Sequence, residues 1–178
     1  MNTLSYGLLS ILTRSSKSGY ELMQHIQPIW KAKHSQIYPL LAQLEQNGFV
    51  QHVHVHQTDK PDKKVYSITS SGQEALRTWI HQPTGEPVHR DELLLKIYCI
   101  GMVDAEKAKQ VVEEREAYYR KMAEFCEERM KITAEESVIP LQELTLGDPL
   151  FGPYVLLEKA LLDLRANIEW CEWVKSRL

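Results

Sequence analysis

The strongest constraint on this sequence is a change in the spacing of its apolar residues at Gly48. Before Gly48, apolar residues recur at intervals of three and four, which places them on one face of an α-helix. These residues are Ile37, Leu40, Leu41 and Leu44. After Gly48, apolar and polar residues alternate, which is the period of a β-strand. The chain must therefore join helices to a short β-hairpin.

Two shorter helices are predicted ahead of this one. The first ends near residues 14–17 and carries one apolar stripe, formed by Leu4, Leu8, Ile11 and Leu12. The second begins at Ser18, because Ser18 and Glu21 have the spacing of a capping box, in which each side chain accepts a hydrogen bond from the other residue's backbone N–H. Pro28 closes the second helix or kinks its end.

The third helix presents a polar face without acidic residues. Pro39 is tolerated only near a helix start, so the helix begins near residues 34–36, with Ser35 as its natural cap. The face exposed by its first turns consists of Lys33, His34, Ser35, Gln36 and Tyr38. Because a helix N-terminus attracts phosphate and short polar side chains reach base edges, this face is predicted to read DNA. For Tyr38, packing against the second helix is an equally open interpretation.

A hairpin with a basic tip follows the third helix. Val53 and Val55 alternate with histidines on its first strand, and residues 65–68 form its second. Residues 58–64 between them contain a Pro-Asp turn signal and three lysines, Lys60, Lys63 and Lys64. Such a tip can lie along a phosphate backbone or minor groove, so these lysines are predicted to contact DNA.

A fourth helix closes this part of the chain. Thr69 or Ser70 caps it, and its anchors are Leu76, Trp79 and Ile80. The order helix, helix, helix, hairpin, helix is that of a winged helix-turn-helix domain, which we assign to residues 1–82. The predicted fold class is mainly α with a small β-hairpin, followed by a helical dimerisation domain.

Three histidines on the first strand of the hairpin, His52, His54 and His56, point to one face and are candidate metal ligands. Neighbours on one face of a strand stand more than about 6 Å apart, and no cysteine or acidic residue is expected to complete a site. We therefore predict no metal site. The histidines are interpreted as the solvent face of the hairpin, which attracts phosphate when protonated.

The charge of the chain is unevenly distributed. The formal net charge is −3, but residues 1–82 contain eight Lys and Arg against five Asp and Glu, and the remainder contains 13 against 19. This asymmetry is expected when only one module faces phosphate.

No run approaches the roughly 18 apolar residues of a membrane span, and the N-terminal segment lacks the features of a secretion signal. The three cysteines are widely spaced, which is not the pattern of a disulfide framework, so they are interpreted as reduced thiols. We therefore predict a cytoplasmic protein.

The second half of the chain, residues 88–178, is predicted to be helical and dimeric. Two prolines and a glycine mark a linker over residues 82–87, and a connecting helix follows over residues 90–102. Two long amphipathic helices come next. The first carries a seam through Val111, Tyr118, Met122 and Phe125, with Val112, Tyr119 and Cys126 beside it. Because two helices alone form a layer too thin to enclose a hydrophobic core, we expect this helix pair to pack against a second copy of the chain.

Three motifs of the first half resemble the PadR family of transcriptional regulators. They are residues 18–22 (Ser-Gly-Tyr-Glu-Leu), residues 37–50 from Ile-Tyr-Pro-Leu-Leu to Gly-Phe-Val, and residues 64–72 from Lys-Val-Tyr to Gly. The second half is similar to the longer, PadR- and AphA-like branch. The resemblance implies a homodimeric repressor, and a two-fold dimer with recognition helices about 34 Å apart would bind an inverted-repeat operator.

Four aromatic residues of the last helix have two interpretations. Phe151, Tyr154, Trp170 and Trp173 either belong to the core and dimer interface or line a pocket for a flat ligand. Because PadR proteins include sensors of phenolic acids, the resemblance implies a small aromatic effector as the candidate ligand.

An enzyme and a protein-interaction adaptor are the alternative functions. The sequence contains no Gly-rich phosphate loop, nucleophile elbow or His-Glu-x-x-His motif. An adaptor would need neither the lysines of the hairpin tip nor an acid-free third helix. We therefore expect a transcriptional regulator without cofactor or catalytic activity, whose partners are double-stranded DNA and a second copy of the chain.

Overall fold

The computed structural model describes residues 1–27, 29–56, 62–88 and 90–178. They form two compact units, Met1–Glu86 and Pro87–Leu178. The first unit contains, in chain order, α1 (Thr3–Leu12), β1 (Lys17–Ser18), α2 (Gly19–Ile26), α3 (His34–Gln46), β2 (Val50–Val55), β3 (Lys63–Ile68) and α4 (Ser70–Ile80). The second contains α5 (Glu92–Tyr98), α6 (Ala105–Glu136) and α7 (Phe151–Lys175), with short 3-10 turns at Ile100–Met102 and Leu141–Glu143. None of the helices in the described residues has the length and apolarity needed to cross a membrane.

The strands form one antiparallel sheet in the order β1, β3, β2. In the hairpin, which we call the wing, Val50 lies opposite Ile68 and Val55 opposite Lys63. The predicted hairpin is confirmed. The sequence did not indicate β1, because two residues are too few to show an alternating pattern. Its Ser18 pairs with Val65, so the start of α2 is attached directly to the wing.

The caps of α2 and α4 follow from nearby residues. Ser18 Oγ accepts a hydrogen bond from the Glu21 N–H at 3.3 Å, and the Glu21 carboxylate accepts one from the Ser18 N–H at 2.7 Å, which confirms the predicted capping box. At α4 the cap is Thr69, whose hydroxyl accepts from the Gly72 N–H at 3.1 Å and donates to the Gly48 carbonyl at 2.7 Å. The Thr69 hydroxyl thereby connects the end of α3 to the start of α4.

The core of the first unit lies between its four helices and the sheet. It is formed by Leu4, Leu8, Leu9, Leu12, Leu22, Ile26, Ala32, Ile37, Leu41, Leu44, Val50, Tyr66 and Leu76. Trp79 packs against this core and stacks on Tyr6, with ring centroids 4.7 Å apart. Ile80 is 72% exposed, so the prediction that it anchors α4 is wrong. It is the last residue of the helix, one turn beyond Leu76.

In the second unit, α6 and α7 pack against each other. Of the two apolar stripes on α6, the one through Val112, Tyr119 and Cys126 is buried. The stripe through Tyr118 and Phe125 remains 44% and 47% exposed at these two residues. The sequence predicted both stripes but could not show which of them faces α7.

Glu116 is a buried carboxylate between α6 and α7, with only 7% of its surface exposed. Arg120 Nη2 donates to its Oε1 at 2.7 Å, and Lys175 Nζ contacts its Oε2. Burial alone would raise the pKa of Glu116, but the hydrogen bonds and charges of Lys175 and Arg120 lower that pKa below its usual value. Glu116 is therefore charged at neutral pH and connects α6 to the end of α7.

The connecting helix is shorter than predicted. It begins at Glu92 and ends at Tyr98, and a 3-10 turn replaces the predicted continuation to Met102. Leu93 is buried, whereas Tyr98 and Met102 are 94% and 86% exposed. Because apolar side chains occur on more than one side of this segment, their spacing alone overstated the length of the helix.

Candidate nucleic-acid interface

The start of α3 is capped by one of its own side chains. Lys33 is the N-cap residue, and its backbone N–H donates to Gln36 Oε1 at 2.9 Å. A lysine side chain has no acceptor atom, so Lys33 returns no side-chain hydrogen bond and only half of a capping box forms. The predicted cap at Ser35 is wrong, since Ser35 lies inside the first turn. The helix begins at His34 because Gln36 supplies the cap.

The predicted DNA-reading face of α3 is open to solvent. Lys33, His34, Ser35 and Gln36 are exposed, and Tyr38 is 45% exposed. The His34 ring stacks on that of Tyr38, with centroids 5.9 Å apart. The first turn contains no acidic residue, and the N–H groups of a helix N-terminus attract anions. This surface is therefore suited to phosphate oxygens and base edges.

Tyr38 also packs against α2. A Cβ atom added at Gly19, the first residue of α2, would lie 2.8 Å from Tyr38 Cε1 and 3.1 Å from Cζ. Any side chain at position 19 would therefore displace the tyrosine ring. Of the two open interpretations of Tyr38, packing against the second helix is present in the structure, and contact with phosphate stays a prediction.

Lys63 and Lys64 belong to β3 and not to the turn in which they were predicted. Lys64 is exposed, whereas Lys63 is half-buried. The pKa of Glu21 is lowered mainly by its hydrogen bonds with Ser18, and the charge of Lys63 lowers it further. Lys63 thus lies near the start of α2, while Lys64 lies on the open surface of the wing. The third predicted contact, Lys60, lies outside the described residues.

The three histidines predicted to form the solvent face of the wing differ in exposure: His54 and His56 are exposed, as predicted, whereas His52 is half-buried. His52 lies on the same face of the strand as the buried Val50 and contacts Glu45 of α3. Val53, on the other face, is 60% exposed. The prediction was wrong for His52 only, because Glu45 and Tyr66 lie against its ring, and alternation along β2 does not show contacts with other elements.

The four aromatic residues predicted as effector contacts do not form one pocket within a single chain. Phe151 and Tyr154 lie at the start of α7, whereas Trp170 and Trp173 lie at its end. At 1.5 Å per residue, the two pairs are separated by about 24 Å or more. Two clefts of the second unit, with volumes of about 190 and 460 Å³, are lined by other residues.

The elements of the first unit define the class of this protein. α2 and α3 form a helix-turn-helix, α3 exposes a polar start, and β2 and β3 form a wing in the same unit. The protein is therefore a winged helix-turn-helix protein with a helical second unit. This agrees with the predicted fold class, with β1 as the additional strand.

Comparison with known proteins identifies the family. Residues 8–78 match the sequence model of the transcriptional regulator PadR-like family. Residues 89–178 match the sequence model of the virulence activator alpha C-terminal family. The negative transcriptional regulator PadR of Bacillus subtilis is 31% identical over 184 residues, which cover 100% of this chain and 98% of that protein. The chain belongs to the PadR family of transcriptional regulators, as its motifs predicted, and is not an enzyme.

Solved structures agree with this assignment over nearly the whole chain. The crystal structure of B. subtilis PadR in complex with operator DNA has a TM-score of 0.78 and 26% identity, with 99% of both chains covered. The complex of the same protein with p-coumaric acid has a TM-score of 0.71 and 26% identity, covering 99% of this chain and 98% of that one. The virulence activator AphA of Vibrio cholerae has a TM-score of 0.67 and 26% identity, with 98% and 97% covered.

Proposed function

We propose that the chain is a homodimeric transcriptional repressor that acts in the cytoplasm and binds an inverted-repeat operator. The observation that carries the proposal is the exposed, acid-free start of α3, together with lysines on the wing. The family supports DNA binding as the activity. Repression is supported by the B. subtilis relative, which is described as a negative regulator and has been crystallised with operator DNA.

In this proposal the start of α3 enters the major groove. Ser35 and Gln36 are the candidates for contact with base edges, since their side chains are short, polar and exposed. Lys33, His34 and Tyr38 are assigned to phosphates at the edge of the groove. The wing lysines, Lys60, Lys63 and Lys64, are assigned to the backbone beside it.

The dimer is proposed to form through α6 and α7. Several large apolar side chains on these helices remain about half exposed to solvent in the described part of a single chain. They include Tyr118, Phe125, Leu156, Leu162 and Trp173, which are 44%, 47%, 47%, 60% and 57% exposed. Extended exposed apolar surfaces mark protein interfaces, and a second copy related by two-fold symmetry would present the same stripes to them.

A gel-shift titration tests the DNA-binding proposal. The full-length chain is mixed with DNA from the region upstream of its own gene, in the presence of unrelated competitor DNA and at several salt concentrations. We expect a retained complex whose affinity falls as salt rises, because bound lysines release counterions from phosphates. If neither upstream fragments nor a pool of random duplexes gives a salt-sensitive complex, the proposal is wrong.

A small aromatic acid is proposed as the effector that releases the repressor from DNA. The support is the p-coumaric acid complex of B. subtilis PadR, which is similar to this chain over 99% of its length. Because the two aromatic pairs of α7 lie far apart in one chain, a ligand would contact one pair only, unless a second chain contributes to the site. Phe151 and Tyr154 form one such pair, and Trp170 and Trp173 form the other.

Release of labelled operator DNA by p-coumaric acid tests the effector proposal separately. Cyclohexanecarboxylic acid serves as the control, because it has a carboxylate without an aromatic ring. We expect release by the aromatic acid alone. Equal release by both acids would indicate a nonspecific effect of the acid, and DNA binding unaffected by either acid would remove p-coumaric acid as a candidate.

A further inference from the structure

Three polar side chains connect the C-terminal end of α3 to the wing. A carboxylate oxygen of Glu45 contacts His52 Nδ1, and His52 Nε2 lies 3.1 Å from His54 Nε2. The two rings meet edge to face, with an interplanar angle of 73°. None of these three side chains belongs to the proposed DNA contacts.

The contact with Glu45 determines which nitrogen of His52 carries a proton. An ionised carboxylate only accepts hydrogen bonds, so Glu45 favours the tautomer of His52 with its proton on Nδ1. This tautomer leaves a lone pair on Nε2, which faces His54 Nε2. Two facing imidazole nitrogens hold either one proton between them, as an N–H···N hydrogen bond, or a metal ion bound to both lone pairs.

The separation of the two nitrogens suits a metal ion, although the backbone spacing along the strand had predicted no metal site, because the two side chains bring their ring nitrogens to 3.1 Å. With metal–nitrogen bonds of about 2.0–2.1 Å, nitrogens 3.1 Å apart subtend an angle of roughly 100° at the metal. This value lies between square and tetrahedral coordination. A carboxylate on the other nitrogen of a metal-bound histidine is also the common outer-shell arrangement at such sites, where it fixes the ring and its tautomer.

One histidine of the pair is mostly buried and the other is exposed to solvent. The His52 side chain is only 16% exposed, and its ring lies 5.7 Å from that of Tyr66. His54 is exposed, so ions in solution can reach the pair. Lys64 lies opposite His54 across the wing, and its positive charge limits the affinity for a cation.

We propose that His52 and His54 form a two-histidine chelating site for a borderline divalent transition metal such as Zn²⁺, with Glu45 as the positioning residue. Among the described residues, no group of three or more His, Cys, Asp or Glu side chains is arranged to hold a metal, so water completes the coordination. Binding is therefore weaker than at a closed structural site. Imidazole ligands favour Zn²⁺, Ni²⁺ and Cu²⁺ over Mg²⁺ and Ca²⁺.

Calorimetric titration of the untagged, full-length chain with Zn²⁺ tests the site. All proteins carry Cys99→Ser, because the exposed Cys99 thiol would bind zinc by itself. We expect one Zn²⁺ per chain and a loss of affinity of roughly tenfold or more in His52→Ala and in His54→Ala. Glu45→Gln is expected to weaken binding by about tenfold through the orientation of His52. Mg²⁺ should give no binding heat.

His56→Ala is the matched control. His56 lies on the same strand, but its Nδ1 pairs with Asp62 Oδ1 at 2.8 Å and not with the other histidines. Its removal should change Zn²⁺ affinity by less than about twofold. Unchanged affinity in His54→Ala, or an equal loss in His56→Ala, overturns the proposal. Because His54 is exposed, its variant should fold normally, as a circular dichroism melt will show, and it tests the site even if His52→Ala is unstable.

Discussion

Gln36 has two roles at the start of α3. Its carbonyl oxygen accepts the Lys33 N–H at 2.9 Å, which leaves its amide N–H groups as donors for a base edge. This division of roles defines what each substitution removes. Gln36→Ala removes the cap and the donors together, whereas Gln36→Glu keeps an acceptor for the cap and loses the donors.

We predict that Gln36→Ala loses discrimination at one base pair of the operator. The expected loss is about 1–3 kcal/mol of preference for the native base at that position, the usual value of a good side-chain contact with a base edge. Fluorescence anisotropy with operators changed one base pair at a time measures it. Gln36→Glu should lose the same preference without a fall in melting temperature, while its added negative charge also weakens binding to every sequence. An equal drop in the affinity of Gln36→Ala for every sequence, without a loss of preference, would mean that Gln36 contacts phosphate instead.

The charge of Glu116 is expected to make the stability of the folded chain depend on pH. Its pKa is lower in the folded chain than in the unfolded chain, against the effect of burial, because of Lys175 and Arg120. The stability that it contributes is therefore present above its unfolded pKa, near pH 4.5, and is lost as the pH falls through the lower, folded value. Glu116→Gln should remove this contribution.

Denaturant unfolding at pH 7 and at about pH 3.5 measures the effect of Glu116→Gln. We expect a loss of about 1–2 kcal/mol at pH 7, reduced because Arg120 is half exposed, and a smaller loss at the acidic pH. Glu113→Gln is the control, since Glu113 is exposed on the same helix. An equal destabilisation at both pH values would contradict the charge-based explanation.

At the scale of single elements, the wing combines two lysines in different surroundings. Lys64 is exposed, whereas Lys63 lies near Glu21. We predict that Lys64→Ala lowers affinity for all DNA sequences and reduces the slope of log affinity against log salt by about one, the value for one phosphate contact. Lys63→Ala should have a smaller effect, because the charge of Glu21 already compensates it in part.

Arg77→Ala is the control for the wing lysines. Arg77 is an exposed cation of the same unit, on α4, where it pairs with Glu74 at 2.9 Å. Its removal lowers the net positive charge of the unit without touching the wing. If Lys64→Ala and Arg77→Ala change the salt slope equally, general charge and not a wing contact explains the binding.

The sequence predicted those elements whose signals are local. The capping box of α2 depends on Ser18 and Glu21, three positions apart, and the cap of α4 on Thr69 beside its helix. The position of β1 and the orientation of the wing depend on pairing between distant segments, as between Ser18 and Val65. No local pattern carries that information, so β1 was missed and the partial burial of His52 was not predicted.

The candidate DNA-binding surface was also predictable where its features are local to one element. The exposed start of α3 follows from the absence of acids and from the helical period, both of which the sequence contains. The contact between Glu45 and His52 joins different elements, and it appears only once β2 is placed against α3. The separation of Phe151 from Trp170 along α7 could have been found from the sequence, because a continuous helix fixes the distance.

At the scale of the whole molecule, the proposal requires two chains. We predict that sedimentation velocity gives about twice the 20.7 kDa chain mass at micromolar concentration, and that Phe125→Asp shifts the protein toward the monomer. Phe125 is 47% exposed, so a charge there should disturb an interface more than the fold. Glu124→Ala, at an exposed polar neighbour, should remain dimeric. A wild-type chain that sediments at 20.7 kDa would contradict the dimer.

The central claim is that two copies of α3 read successive major grooves on one side of the DNA. Anisotropy with an operator carrying about five extra base pairs between its half-sites tests this, because half a helical turn moves one half-site to the opposite side. We predict that affinity falls by at least about tenfold, while an operator with the same number of central base pairs substituted binds nearly as well as the original. Equal affinity for the lengthened and original operators would contradict the account.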